Sequence, residues 1–190
     1  MKPSRGRPPA SSREVLADAA CELFLEQGYE ATSITEIARR AGVSRSSFFN
    51  YFPGKSEILW FVFDGRIGAL LDALADPALP LADALATFAV GEAPGTLALA
   101  IVDARTMGVE QELATGRAAR QLRIGTAIAS RLERDGVESV RAAVIGAGYA
   151  AALVTAVWQW ADRGAGRHPL DRALSEALTV AREVLRTPSH

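Results

Sequence analysis

Ser33-Ile34-Thr35-Glu36-Ile37-Ala38-Arg39-Arg40-Ala41-Gly42-Val43-Ser44-Arg45-Ser46-Ser47-Phe48-Phe49-Asn50-Tyr51-Phe52-Pro53-Gly54-Lys55 reads as two short helices hinged at a glycine and closed by Pro-Gly. That pattern is a helix-turn-helix, and it makes DNA the first partner to weigh. Ser33 and Glu36 carry the Ser-x-x-Glu spacing of a capping box, so the first helix starts at Ser33 and turns Ile37, Ala38 and Ala41 inward. Gly42 supplies the left-handed backbone of a sharp turn, Val43 fills the angle between the helices, and Ser44 caps the second.

At 100° per residue from Phe48, Phe52 lies at about 40°, Phe49 at about 100°, Ser46 at about 160°, Asn50 at about 200° and Ser47 at about 260°. This gives an inner face of Phe48, Phe49 and Phe52 and an outer face of small polar residues. Small side chains allow a helix backbone deep into the major groove, where Asn50 is the type that pairs bidentately with adenine. Arg45 is long enough to reach guanine or a phosphate, while Tyr51 and Lys55 flank the surface and suit backbone phosphates, which set register.

From Arg13 to about Trp60 the chain closely resembles the DNA-binding domain of the TetR family of bacterial transcriptional regulators. The preceding helix, with Val15, Leu16, Ala19, Ala20, Leu23 and Phe24 as its apolar stripe, and the connection Gly28-Tyr29-Glu30-Ala31-Thr32 share in the resemblance. Carried over by motif position, it implies that Arg45, Ser46, Ser47 and Asn50 enter the groove, with Thr32, Ser33, Thr35, Tyr51 and Lys55 on phosphates. Many relatives have tyrosine where this chain has Phe49, so one hydroxyl contact to the DNA backbone is lost here.

The 190 residues, 49% of them hydrophobic, suffice for a small head and a larger core. Net charge is −1, so affinity for DNA has to come from a local patch. Residues 1–55 carry Lys2, Arg5, Arg7, Arg13, Arg39, Arg40, Arg45 and Lys55 against Glu14, Asp18, Glu22, Glu26, Glu30 and Glu36, an excess of the sign a DNA-reading head requires. The division expected is a disordered basic arm over 1–10, a helix-turn-helix domain over 11–55, and a helical effector-binding and dimerisation domain over 56–190. In the arm, Arg5-Gly6-Arg7-Pro8 looks like the core of an AT-hook; it either inserts Arg5 and Arg7 into an A·T-rich minor groove or adds only salt-dependent attraction to phosphates.

The remainder reads as helices punctuated by Pro and Gly: Lys55–Ala75, Leu81–Glu92, Gly95–Thr106, Glu110–Arg134, Glu138–Arg163 and Pro169–Leu185. Period-two alternation is not sustained anywhere, so the fold class is all-α. Ala142 to Ala161 is 20 residues without a charge, the length of a membrane span. Its rows Ala142, Gly146, Ala150 and Ala143, Ala147, Ala151 favour instead a closely packed helix at a subunit or domain interface, with no membrane partner. The final helix carries the stripe Leu170, Ala173, Leu174, Ala177, Leu178, Ala181 and Leu185.

The resemblance implies a homodimer through the last two helices, a palindromic double-stranded operator, and repression relieved by a small, mainly apolar effector. Candidate effector-contacting residues are Trp60, Phe63, Phe88, Val102, Asp103, Arg105, Met107, Tyr149 and Trp158; the apolar ones equally suit an ordinary core, and Asp103 and Arg105 could pair with each other or face solvent. The other reading is a DNA-binding architectural or adaptor protein that senses nothing. An enzyme is disfavoured: the only histidines are His168, in a Gly-Arg-His-Pro connection, and His190 at the end, no phosphate-cradling glycine motif occurs, and no cofactor or metal is expected. Cys21, the lone cysteine, reads as a small buried thiol in a reducing cytoplasm.

Overall fold

The computed structural model describes residues 12–185. Ten helices follow in order: α1 (Ser12–Gln27), α2 (Ile34–Arg40), α3 (Arg45–Phe49), α4 (Glu57–Ala75), α5 (Leu81–Thr87), α6 (Gly95–Val102), α7 (Ala104–Met107), α8 (Glu110–Arg134), α9 (Ser139–Asp162) and α10 (Leu170–Leu185). No β-strand forms among the described residues, and the expected all-α class holds.

Local rules account for the head. The Ser33 hydroxyl accepts the Glu36 N–H at 3.2 Å while the Glu36 carboxylate accepts the Ser33 N–H at 2.9 Å, a complete capping box. Gly42 sits at φ 71°, and Ser44 Oγ accepts the Ser47 N–H at 3.0 Å to start α3. Leu16, Ala20, Phe24, Ile37, Phe48 and Phe52 close the small core between the three helices.

The larger body is built around α4. Arg120 of α8 makes a two-toothed pair with Asp64 of α4 at 2.8 and 2.7 Å. Arg131 of α8, almost wholly buried, grips the C-terminal end of α4, donating to the carbonyls of Asp76 and Leu79, both at 2.8 Å. Arg66 does the same service below α5: its guanidinium donates to Phe88 O at 2.6 Å, Gly91 O at 2.8 Å and Glu92 O at 2.9 Å. Positive groups at helix C-termini satisfy carbonyls that lack an intrahelical donor. Burial weakens the hold of Arg66 on its proton, and the nearby Glu92 partly offsets this.

Helices α8 and α9 approach closely where Gly125 faces Gly146, and α10 lays Leu170, Leu174, Leu178 and Ala181 inward against α9. Helix α9 is long and apolar enough to cross a membrane by length and composition, and here it is packed between α8 and α10.

Two expected helices differ. The Leu81–Glu92 element stops at Thr87, because the following carbonyls turn to Arg66 and Gly91 takes φ 109°. The Gly95–Thr106 element breaks at Asp103, whose φ of −103° and ψ of 21° are not helical, so that α7 can place Met107 in the core and end on left-handed Gly108.

The head is joined to the body through the chain entering α4 and also across space. There the Tyr29 N–H donates to Met107 O at 2.6 Å, and Phe61 of α4 meets Phe52 and Arg13. Beside this junction a cleft of about 400 Å³ separates α1 from α4 and the start of α6, lined by Glu14, Asp18, Cys21, Phe61, Glu92 and Leu99.

Candidate nucleic-acid interface

Helix α3 is only five residues long, and what holds it is aromatic. Phe48 is fully buried, Phe52 nearly so, with their ring centroids 5.9 Å apart and Phe52 edge-on to Phe61 at 5.5 Å. Burial of each ring is worth about 2 to 3 kcal/mol, far more than the intrinsic helicity of so short a segment. Arg13 covers Phe52 and Phe61 from outside, its guanidinium 5.2 and 5.4 Å from their rings and donating to Tyr51 O at 2.9 Å.

Outward, α3 presents Arg45, Ser46 and Asn50, all exposed, with Ser47 half-buried behind them. The Ser46 and Ser47 hydroxyls each lie 2.8 Å from Ser44 Oγ, which makes one small hydroxyl cluster at the helix start. Asn50 is the C-cap, still in right-handed backbone, and its amide is exposed next to Ser46. Thr35 is exposed on the first turn of α2 and Tyr51 is half-buried just past α3, both beside the polar face. The arm residues Arg5 and Arg7 lie outside the described residues.

One expectation is corrected, and three residues expected on phosphates are engaged within the head. Phe49 is not an inner anchor: it is 45% exposed, touching Phe48 edge-on and carrying the Arg45 guanidinium over its ring at 5.4 Å. Thr32 is buried, and its hydroxyl donates to Gly28 O at 2.7 Å, so it presents nothing to a phosphate. The Ser33 hydroxyl is engaged in the capping box. Lys55 is half-buried, with its ammonium donating to Tyr29 O at 2.6 Å and Thr32 O at 3.2 Å and lying 4.1 Å from the centre of the Tyr29 ring. That lysine ties the α1–α2 connection to the entry of α4. Replacing Lys55 by methionine keeps the stem and deletes the donors, with an expected loss of about 2 kcal/mol in thermal unfolding. A variant as stable as the parent, with a flatter salt dependence of DNA binding, would return Lys55 to the phosphates.

Charge on the head is also narrower than composition suggests. Arg40 pairs with Glu22 at 3.1 Å and Glu26 at 2.7 Å across α1 and α2, and these contacts hold the Glu26 carboxyl below its ordinary range. With Arg13 stacked, Lys55 anchored and Arg40 paired, Arg39 and Arg45 are the exposed cations of α2 and α3 that stand outside an ion pair. Cys21 is buried as expected, and burial first, then Asp18 and Glu22, pushes its thiol up to about 12, which leaves it neutral and unreactive.

The residues proposed for an effector do not form one chamber. Trp60, Phe63 and Phe88 are fully buried and packed on one another and on half-buried Trp158, with centroids 5.6 to 6.5 Å apart. Met107 is buried at the head junction. Val102 is 58% exposed and Arg105 is exposed, because the break at Asp103 turns this stretch toward solvent, and Asp103 itself is half-buried at that break. Tyr149 lines a separate groove with Leu81, Leu132, Ile145 and α10. What the sequence did not announce is polar: the Trp60 indole N–H is buried without a hydrogen-bond partner, facing Gly116, and Arg120 lies over its ring at 4.0 Å while Arg117 lies 4.6 Å over Trp158.

Residues 16–59 match the family model for bacterial regulatory proteins of the tetR family. Among curated proteins, the chain is similar to the HTH-type transcriptional regulator AcrR of Shigella flexneri, 37% identical over 31% of this chain and 29% of that one. It is also similar to the transcriptional repressor ComR of Escherichia coli, 34% identical over 35% and 32%, and to the regulator HbdR of Aromatoleum, 46% identical over 25% and 21%. The aligned segments thus span about a third or less of these relatives. Whole-chain likeness is to solved structures: a transcriptional regulator from Rhodococcus at 25% identity and TM-score 0.50 over 94% of this chain and all of that one, and the dihydroxyacetone kinase operon activator DhaS at 15% and 0.55 over 92% and 96%. A third is SmeT, repressor of an efflux pump in Stenotrophomonas maltophilia, at 20% and 0.52 over 96% of each. These agree on the fold.

Proposed function

We infer that this chain, whose head belongs to the TetR family of bacterial regulatory proteins, is a cytoplasmic, sequence-specific DNA-binding regulator, a repressor released from a palindromic operator by a small, mainly apolar ligand. The observation that carries the reading is the exposed polar face of α3, Ser46 and Asn50 beside Arg45, held outward by a buried phenylalanine pair. Asn50 reads adenine, Ser46 and Ser47 permit close approach, and Thr35 and Tyr51 meet phosphates on either side.

Two heads are needed, since one offers few exposed cations and a short helix. The partner is a second copy, joined through α9 and α10. Val180 and Val184 are 57% and 75% exposed there, along a groove of about 490 Å³ lined by Gly148, Ala151, Ala152, Thr155 and Ala177. Small side chains facing a valine ridge suit helix-on-helix packing between subunits. Two-fold symmetry then sets half-sites one helical turn, about 34 Å, or a multiple apart.

For the sensing half, support comes from Trp60. A buried N–H without an acceptor costs on the order of 1 to 3 kcal/mol, and a ligand that supplies the acceptor recovers it by displacing α4, the helix that leads to the head. Coupling of about 1 to 3 kcal/mol between ligand and DNA suffices for release.

The test is selection of bound fragments from genomic DNA with the purified chain, followed by titration of Asn50→Ala. Specific affinity is expected to fall by about 1 to 3 kcal/mol with non-specific affinity nearly unchanged. Equal losses on both would make Asn50 a packing or phosphate residue. If a broad metabolite screen released no DNA, the architectural reading would replace the sensing one.

A further inference from the structure

Phe49 is the only aromatic among the exposed large apolar side chains of the described residues. It stands on α3 at the border of the polar face, next to Ser46 and Asn50, in the element proposed to enter the groove. The ring touches Phe48 on its edge and Arg45 on a face, and keeps apolar area at the rim of the polar reading surface that a partner would bury favourably. Lacking a hydroxyl, it forms no hydrogen bond to a phosphate. In the major groove the apolar feature of the base edges is the C5-methyl group of thymine.

The second observation is the Arg45 guanidinium, 5.4 Å from the centre of the same ring. Contact with the ring restrains the guanidinium, whose N–H edge stays at the exposed surface of the helix. That edge matches guanine O6 and N7 bidentately. Arg45 and Phe49 are four residues apart, about one helical turn, so the two side chains address neighbouring base steps.

We propose that Arg45 and Phe49 act as one reading unit for a thymine directly beside a guanine, the ring covering the thymine methyl while it orients the arginine on the guanine. The unit rests on the DNA-reading function proposed for α3, and it goes beyond it by naming the base step and the atoms read.

The probe is the selected operator, synthesised with each half-site thymine replaced in turn by deoxyuridine, which deletes only the methyl group, and each guanine by 7-deazaguanine. Titrated with the full chain at fixed salt, one thymine replacement is expected to weaken binding about fourfold, the worth of one buried methyl group. The adjacent 7-deazaguanine should cost about tenfold. In Phe49→Ala the uridine effect should vanish and the deazaguanine effect shrink, while Phe49→Tyr, which keeps the ring, should retain both. Phe49 is half in water, so these variants fold, and their melting temperatures check it. Specific binding that is indifferent to every methyl deletion, or Phe49→Ala retaining the parent's uridine sensitivity, would overturn the unit and leave the DNA-reading function standing. Failure of the parent chain to select any sequence would remove both.

Discussion

Replacing Gly146 by alanine is expected to lower the unfolding free energy by about 3 kcal/mol, the upper end of the usual cost of overpacking. For a chain of this size that corresponds to a fall of roughly 6 to 12 °C in melting temperature. A methyl group on Gly146 would overlap Gly125 O and lie 3.0 Å from Ala129 N and 3.2 Å from Ala129 Cβ. Two of those three neighbours are backbone atoms of α8, so a rotamer change relieves nothing and the helices have to part. Gly148, two residues on, is the control: its added methyl group meets only the tip of Leu185, at 2.8 Å. There the gain in helix propensity of Ala over Gly, about 1 kcal/mol, offsets the shift of one flexible side chain, and Gly148→Ala should be nearly neutral for the stability of the single protomer. Equal melting temperatures for the two variants would mean that α8 and α9 separate easily and that their close approach is not a constraint.

Arg66→Met carries the second large effect, a loss of about 3 kcal/mol. Methionine fills much of the same volume, so the loss measures hydrogen bonding more than packing. Three carbonyls lose their donor, and Phe88 O is buried beyond the reach of water. The value stays below the sum for three charged hydrogen bonds because removing Arg66 also relieves the cost of burying its charge. Urea unfolding gives the magnitude. Amide hydrogen exchange gives the location, with protection falling first across residues 88–95, the turn that borders the cleft under α1. Unchanged exchange there, whatever the global stability, would show that the turn holds itself without Arg66.

How far the fold could be read from residue order depends on how local the determining interaction is. Ser33 and Glu36 are three apart, Gly42 sits at a turn, and Phe48 and Phe52 are one helical turn apart, so the capping box, the hinge and the inner anchors were all legible. The Gly125 and Gly146 contact was half legible: the small-residue row on α9 was visible, its partner on α8 was not. The internal hydrogen bonds of Thr32 and Lys55 were not legible because their partners are backbone carbonyls of Gly28, Tyr29 and Thr32, and every residue offers a carbonyl. Phe49 was misread because a position 100° from the centre of the inner face falls at its edge, and only the real packing of α3 decides such a case. The break at Asp103 answers to the need to bring Met107 into the core, a tertiary demand that overrides helix periodicity.

The hydrogen bond from Tyr29 to Met107, together with the packing of Phe52 and Arg13 on Phe61, suspends the head both by its chain and by contacts across space. A swivelling head would pay orientational entropy at each half-site and would tolerate operators of assorted spacing. A doubly suspended head has that entropy removed before DNA arrives. In a two-fold dimer the distance between the two reading helices then behaves as a property of the folded body, and inserting a single base pair between half-sites, which adds about 3.4 Å of rise and a tenth of a turn, forfeits one head's grip altogether. Under the proposed function, the same suspension would carry a change in the body to α3, where a slack joint would absorb the motion first.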